Sequence, residues 1–557
     1  MASAEVRSDS APYGLDDDMR EMVLETLRQL RTRLLTREKV LEWDRKEIFP
    51  EAEIRELLSP DIGLQLLFIP EKFGGMGGGA RDCFAVTREM GKICLGVATA
   101  FFAIQLGTDP ILVGATDAQK AKWLGAIAEG ETLVAYAVTE PGAGSNLAAL
   151  KTKAEPVTAE DGTITHYKLN GTKQFISTGG YADLLTVLAL TPEGPTFFVV
   201  EKGTPGFKQG KGEEKHGIRA SNTSPLTLDD VEVPIGNLVG GVPGQGLKQA
   251  NQVFGYTRLM VAAMALGAGE AALEIAVPYA QERIQFGGPL CDKQGYTHKL
   301  IVPHHVNMLA GNAYLEEVAL RIDSETRDLQ VEGSIGKLFV TEAANRCADA
   351  CMQALGGYGY ITEFEVEKIK RDVKITCIYE GTSEIQQNII STFRWKIARK
   401  SKGAFYGEMA AEMEALAAKQ SDVGAATMAL AAKAMQLAFD FITEQRLTKQ
   451  QYLMFILADM TTALEVGNAL CRKASAAVAA GGRQAAVLTA AARIFSGDTG
   501  RLFASGLHAL AEGTDLVAAE AGAALLEKAA AAQLGAAGRG RITDLDTIAD
   551  AIFGRAS

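Results

Sequence analysis

The chain has 557 residues, 47% of them hydrophobic, with 56 Lys and Arg against 68 Asp and Glu and a net charge of −12. That length accommodates two to four packed domains, and the acidic balance argues against a general binder of nucleic-acid backbones. Seven scattered cysteines, an odd number with no CxxC pair, argue against a disulfide scaffold or a metal site and point to a reduced, cytoplasmic protein with buried thiols.

The opening MASAEVRSDSAPYGLDDD is polar and lacks the apolar core of a secretory signal. No run of eighteen uninterrupted apolar residues follows, so no membrane-spanning helix is expected. Residues 16–135 read as helical: Val23, Leu27, Leu30 and Leu34 form an amphipathic stripe, and Asp16 to Asp18 supply a cap and dipole-matched charge. The glycine-rich IPEKFGGMGGGA (69–80) breaks the pattern; helices resume near Ala85, with a boundary at Pro110.

From Tyr136 the period changes. HYKLNGTKQFIS (166–177) reads as a hairpin turned at Asn170-Gly171, and 184–190, 196–202 and 226–234 read as strands. Helical periodicity returns at Gly246. Beyond Lys400 the chain turns Ala-rich, yet Met428, Ala432, Met435, Phe439 and Ile442 keep a seam that predicts a packed helix. The expected division is 1–135, 136–245, 246–400 and 401–557: mainly α, with a central β-barrel or sandwich domain and a C-terminal helical domain.

Several stretches invite chemistry. YAVTEPGAGSN (136–146) crowds glycines at a strand exit, an ordinary turn or a cradle of exposed N–H groups. QALGGYGY (353–360) ends a helix in a Gly pair, which serves as a C-cap or as close approach to a ligand. ERIQFGGPL (282–290) offers Arg283, a surface charge or a pyrophosphate partner. CIYEGTSEIQQ (377–387) sets Glu380 just before a helix start, where Ser383 and Gln386 suit a capping box. Read alone, Glu380 is either an anion stabilised by the helix end or, desolvated beside Ile378 and Tyr379, a base with a raised pKa.

In this order and spacing, YAVTEPGAGSN, NGTKQFIS, PGFKQGKGEEKHGIRASNT, ERIQFGGPL, QALGGYGY and IYEGTSEIQ resemble the acyl-CoA dehydrogenase family of flavoproteins over about residues 20 to 400. The resemblance implies helical, β and helical domains with FAD held between them. Carried over by position, Tyr136, Val138, Thr139, Gly144 and Ser145 would line the flavin, and Phe175 and Ser177 would contact its ring. The family has Trp and Thr at those last two positions; the aromatic and the hydroxyl are kept. Arg283, Gln294, Gln353, Gly356 and Gly357 would reach the FAD of a neighbouring subunit in a homodimer. Thr382 and Glu384 would meet the cofactor in the subunit that carries Glu380.

By the same resemblance, Glu380 would take the α-proton of an acyl-CoA while hydride leaves for the flavin, giving a 2-enoyl-CoA; an electron-transfer flavoprotein would receive the electrons. The Glu380 N–H would bond the thioester carbonyl. Ser145, Arg258, Tyr379 and Gly381 would lie on the substrate side. Asn146, Gly255 and Thr392 depart from the family's pattern, and Arg394 is a substitute for a CoA-phosphate arginine at 392. Ala98 is small, as in long-chain members; Phe102 is large where they have Gly, so a long straight and a branched or cyclic acyl group both stay open.

The tail from 401 resembles the extension of the very-long-chain branch, including QYLMFILADMTTALEVGNALCRKASAA (451–477). Packing is favoured for it over peripheral membrane contact. An acyl-CoA oxidase using oxygen is the rival enzyme, and a nucleic-acid-associated flavoprotein relative the rival from another class; the acidic charge weighs against the latter.

Overall fold

The computed structural model describes residues 14–324, 329–482 and 484–555, without the side chains of 254 and 255. The polar opening up to residue 13 and the Gly255 departure therefore lie outside the described residues. In chain order come α1 (Asp17–Arg33), α2 (Arg37–Lys46), α3 (Glu51–Leu57), α4 (Ala80–Ile93), α5 (Leu95–Gly114) and α6 (Asp117–Ala128). Strands β1 (Val134–Ala137), β2 (Lys153–Thr158), β3 (Ile164–Ser177), β4 (Leu184–Thr191), β5 (Gly194–Glu201), β6 (Phe207–Gln209) and β7 (Thr223–Pro234) follow. Then come α7 (Gly246–Glu282), the short pair β8 (Ile284–Gln285) and β9 (Gly288–Pro289), α8 (Gln294–Leu300), α9 (Val302–Ser324), α10 (Gln330–Ala354), α11 (Gly357–Tyr360), α12 (Val366–Val373) and α13 (Ser383–Lys400). The extension adds α14 (Ala404–Lys419), α15 (Ala425–Glu444), α16 (Gln451–Ala480), α17 (Gln484–Glu512), α18 (Ala519–Lys528), α19 (Ala531–Gly535) and α20 (Arg541–Ile552).

The chain forms two compact units. One holds residues to Ala268 with Ala319–Gln330 and Arg371–Ile375; the other holds Gly269–Val318, Val331–Lys370 and the residues from Thr376 onward. The first unit contains the curled, seven-stranded sheet, ordered β1-β4-β2-β3-β7-β6 with β5 on β4. β1 and β4 are parallel, whereas β3 runs antiparallel to both β2 and β7. Its core is a cluster of alternating inward residues, among them Tyr167, Leu169, Val187, Phe198, Leu228 and Val231.

Asp16 caps α1 through the Met19 N–H, as the sequence predicts. Three other expectations are corrected. Asn170-Gly171 is not a turn: β3 runs straight through it, and the register against β7 slips there as a bulge. The Asn170 side chain is taken up by Asp230, donating Nδ2 at 2.9 Å and accepting the Asp230 N–H at 2.8 Å. Gly171 is needed because a Cβ would meet Thr152 atoms at 2.4–2.8 Å. Helix α4 starts at Ala80, and Pro110 lies inside α5. Near it the Thr186 hydroxyl donates to the Gly107 carbonyl and the Thr108 hydroxyl to the Ile104 carbonyl, and the helix continues through the proline.

By length and composition α5, α7, α15 and α16 could cross a membrane, contrary to the expectation of no such helix; 61–83% of the residues in those apolar stretches are buried in the fold. The α15 seam from Met428 to Ile442 is fully buried, as its spacing predicts. All seven thiols are free and buried.

A buried ion pair locks the exit of β1 to β3. Lys173 Nζ donates to Glu140 Oε1 at 2.8 Å and to the Val138 carbonyl at 3.1 Å. Glu140 also accepts the N–H groups of Lys151 and Thr152 at 2.7 and 3.0 Å. Burial pushes the Lys173 ammonium down to about 8 against the pull of Glu140. Replacing Glu140 with Gln strands that ammonium. Urea unfolding of the first unit should show a loss of about 3–5 kcal/mol; a change within 1 kcal/mol would mean the pair is not the lock.

Candidate active site

In the first unit the same ion pair gathers the residues expected at a flavin. Val138 and Thr139 leave β1 beside β3, because Gln174 N–H donates to the Thr139 carbonyl at 2.9 Å. A second register slip in β3, between Lys173 and Ile176, falls at Phe175. Phe175 has a left-handed backbone, φ 58°, and is 64% exposed. An aromatic held outward on unfavourable backbone is a built surface, not a packing residue. Tyr136 and Ser177 are half-buried, Val138 is buried, and Gly144 and Ser145 are exposed in the turn after β1. Asn146, the departure there, caps a short 3-10 turn by accepting the Ala148 N–H at 3.2 Å. The loop from Gly210 to Asn222 braces the bulge, with Glu213 accepting from the Gln174 amide at 2.6 Å.

Ala98 and Phe102 lie four apart on α5, both buried. Arg258 is buried on α7, its Nη1 3.5 Å from the Gln330 carbonyl.

The second unit holds the acid. Glu380 is half-buried on left-handed backbone, φ 54°, and Gly381 follows at φ 91°. That backbone favours glycine, and a Cβ at Gly381 would sit 2.6 Å from Gln386 Nε2. Ile378, expected to dry the acid, is itself 48% exposed. The predicted capping box is corrected. Thr382 is the cap, accepting the Ile385 N–H at 3.4 Å, and Ser383 is the first helical residue. Gln386 does not reach the cap N–H; its amide donates to the carbonyls of Glu380 and Gly381 at 3.0 and 2.9 Å. Lys337, fully buried on α10, donates Nζ to the Gly381 carbonyl at 2.7 Å. Ser383 donates to Glu342 at 2.6 Å. Glu384 is exposed in the first turn of α13, and Tyr379 is half-buried.

Arg394 is not a substitute for a CoA-phosphate arginine. It is buried, with Nε and Nη2 on Glu465 at 2.6 and 2.8 Å and Nη2 on Glu332 at 3.2 Å. Burial opposes its charge, but the two carboxylates outweigh it and raise its pKa.

Also in the second unit, a hollow of about 480 Å³ brings together Arg283, Gln353, Gly356 and Gly357 with Tyr279 and Tyr358. Arg283 lies 5.9 Å from the Tyr358 ring centre, and nothing lies within 4 Å of a Cβ built on either glycine. Cationic edge, aromatic wall and open backbone fit a dinucleotide. Gln294, expected at the same ligand, does not line the hollow; its amide donates to Asp546 at 3.3 Å.

Sequence reasoning missed Lys173, Glu140 and Lys337. Only the fold partner of each reveals it.

The chain matches the acyl-CoA dehydrogenase N-terminal domain over residues 17–131, the middle domain over 135–231 and the C-terminal domain over 244–393. It is 38% identical over 383 residues to an acyl-CoA dehydrogenase of Bacillus subtilis (strain 168), spanning 65% of this chain and 97% of that one. The butyryl-CoA dehydrogenase structure from Megasphaera elsdenii superposes with a TM-score of 0.64 at 36% identity, covering 69% of this chain and 99% of that chain. An acyl-CoA dehydrogenase from Bacillus anthracis complexed with FAD shares the fold over 97% of this chain and 95% of its own, at a TM-score of 0.83 and 24% identity. The chain belongs to the acyl-CoA dehydrogenase family, whose members bind FAD.

Replacing Gln386 with Leu removes a donor from two carbonyls of the Glu380 turn, worth about 1–3 kcal/mol. Amide hydrogen exchange in 379–383 should quicken about tenfold or more; unchanged exchange would show that the turn is held otherwise.

Proposed function

We propose that the protein dehydrogenates an acyl-CoA thioester across its second and third carbons, giving a 2-enoyl-CoA, with Glu380 as the base. The observation that carries this reading is the Glu380 turn: a half-buried carboxylate on left-handed backbone, in a turn whose carbonyls are held by Gln386 and Lys337. Bound FAD supplies the hydride acceptor. Tyr136, Val138, Thr139, Gly144, Ser145, Phe175 and Ser177 are assigned to hold its flavin end, with Thr382 and Glu384. Arg283, Gln294, Gln353, Gly356 and Gly357 are assigned to the FAD of a second copy.

The Glu380 carboxylate removes the α-proton, and its N–H is assigned to the thioester carbonyl, where negative charge develops. Ser145, Arg258, Tyr379 and Gly381 are assigned to the substrate, with Ala98 and Phe102 limiting its acyl group. An electron-transfer flavoprotein is the proposed electron acceptor. The homodimer is supported by exposed Phe286, Tyr358 and Tyr360 on the segments that form the Arg283 hollow.

Two measurements test the reading. Glu380→Gln should retain FAD but slow its bleaching by acyl-CoA about 10²–10⁴-fold, the share of a general base; bleaching at the wild-type rate would place the base elsewhere. Native mass spectrometry should give a dimer, and a monomer that keeps its FAD would remove the second copy from the site.

A further inference from the structure

We propose that α20, the last helix of the chain, is part of the cofactor-binding apparatus: it braces the wall of the Arg283 hollow and thereby sets how tightly FAD is retained. This inference rests on the reading that the hollow receives FAD. Asp546 on α20 holds two residues of α8, accepting from the Gln294 amide at 3.3 Å and lying 3.0 Å from His298 Nε2. On the same helix, the Tyr296 hydroxyl donates to the carbonyl of Ala354, which lines the hollow, at 3.0 Å. Arg555, just past α20, donates Nη1 to the Cys291 carbonyl at 3.0 Å, next to the lining residue Leu290. Gln281, two residues before Arg283, donates to the Phe553 carbonyl at 3.3 Å. The end of the chain thus touches three successive segments behind one wall.

The brace is itself anchored. Arg493 on α17 donates Nε to both oxygens of buried Asp544 at 3.0 Å, and Ile548 and Ala549 are buried. By contrast Asp546 and Arg555 are substantially exposed. Exposed pairs contribute little to stability, so their consequence is placement: they fix α8 and the segment at Cys291 behind the wall of the hollow. Asp546 and Arg555 are positioning residues under this proposal.

The test follows FAD release, by the return of flavin fluorescence on dilution, from the full-length FAD-loaded protein. The double variant Asp546→Asn, Arg555→Gln should release FAD at least tenfold faster than wild type. Glu414→Gln, which breaks a comparably exposed pair with Lys433 on α14 and α15, should release it at the wild-type rate. Wild-type release from the double variant, or equal acceleration by Glu414→Gln, would overturn the brace. A wild-type protein that takes up no FAD at all would instead overturn the reading beneath it.

Discussion

Left-handed backbone under an L side chain costs on the order of 1–3 kcal/mol and survives only where its surroundings hold it. That constraint governs one candidate turn in each unit. Phe175 and Glu380 each adopt it, and beside each a buried lysine donates to a backbone carbonyl: Lys173 to Val138, Lys337 to Gly381. A buried ammonium without such partners would be strongly disfavoured. The fold therefore couples the placing of an outward aromatic, and of a half-buried acid, to the satisfaction of a charge that cannot reach water. Each turn therefore lies beside a buried, hydrogen-bonded lysine.

The extension is tied into the same logic. Helix α13 begins three residues after Glu380 and is gripped by the extension at three levels. Gln387 donates to Asp459, Arg394 to Glu465, and Trp395 to Thr443. The Arg394 cluster is the deepest of these. Burying such a group is expensive, and removing one partner costs about 3–5 kcal/mol, so α13 cannot shift along its axis without breaking it. Arg472 and Lys473 on α16 make further pairs to Glu317 and Glu316 on α9. The residues beyond 400 are thus integral to the unit that carries the acid.

Much of this was legible in the sequence. Period and turn residues located the helical start, the strand-rich middle and the helical remainder, and the buried α15 seam follows its spacing. The motif order pointed to the family, and Arg283, Gln353, Gly356 and Gly357 do meet in one hollow. What local reading got wrong is where tertiary partners decide. Asn-Gly is a turn signal, yet Asp230 captures Asn170 and turns it into a bulge. S-x-x-Q is a capping signal, yet Gln386 finds better acceptors in the two carbonyls before the cap. Arg394 stands close in sequence to where a ligand contact was sought, but Glu465, 71 residues away, claims it. Long-range ionic partners leave no local signature.

The central claim is that Glu380 removes a proton from the carbon next to a thioester carbonyl, and it is tested most directly where hydride transfer is blocked. An acyl-CoA with sulfur in place of its third carbon keeps the acidic α-position but has no hydride to give. Incubated in D2O with the FAD-loaded protein and followed by proton NMR, it should lose its α-proton signal with wild type and keep it with Glu380→Gln. Exchange by the variant at the wild-type rate would contradict the account.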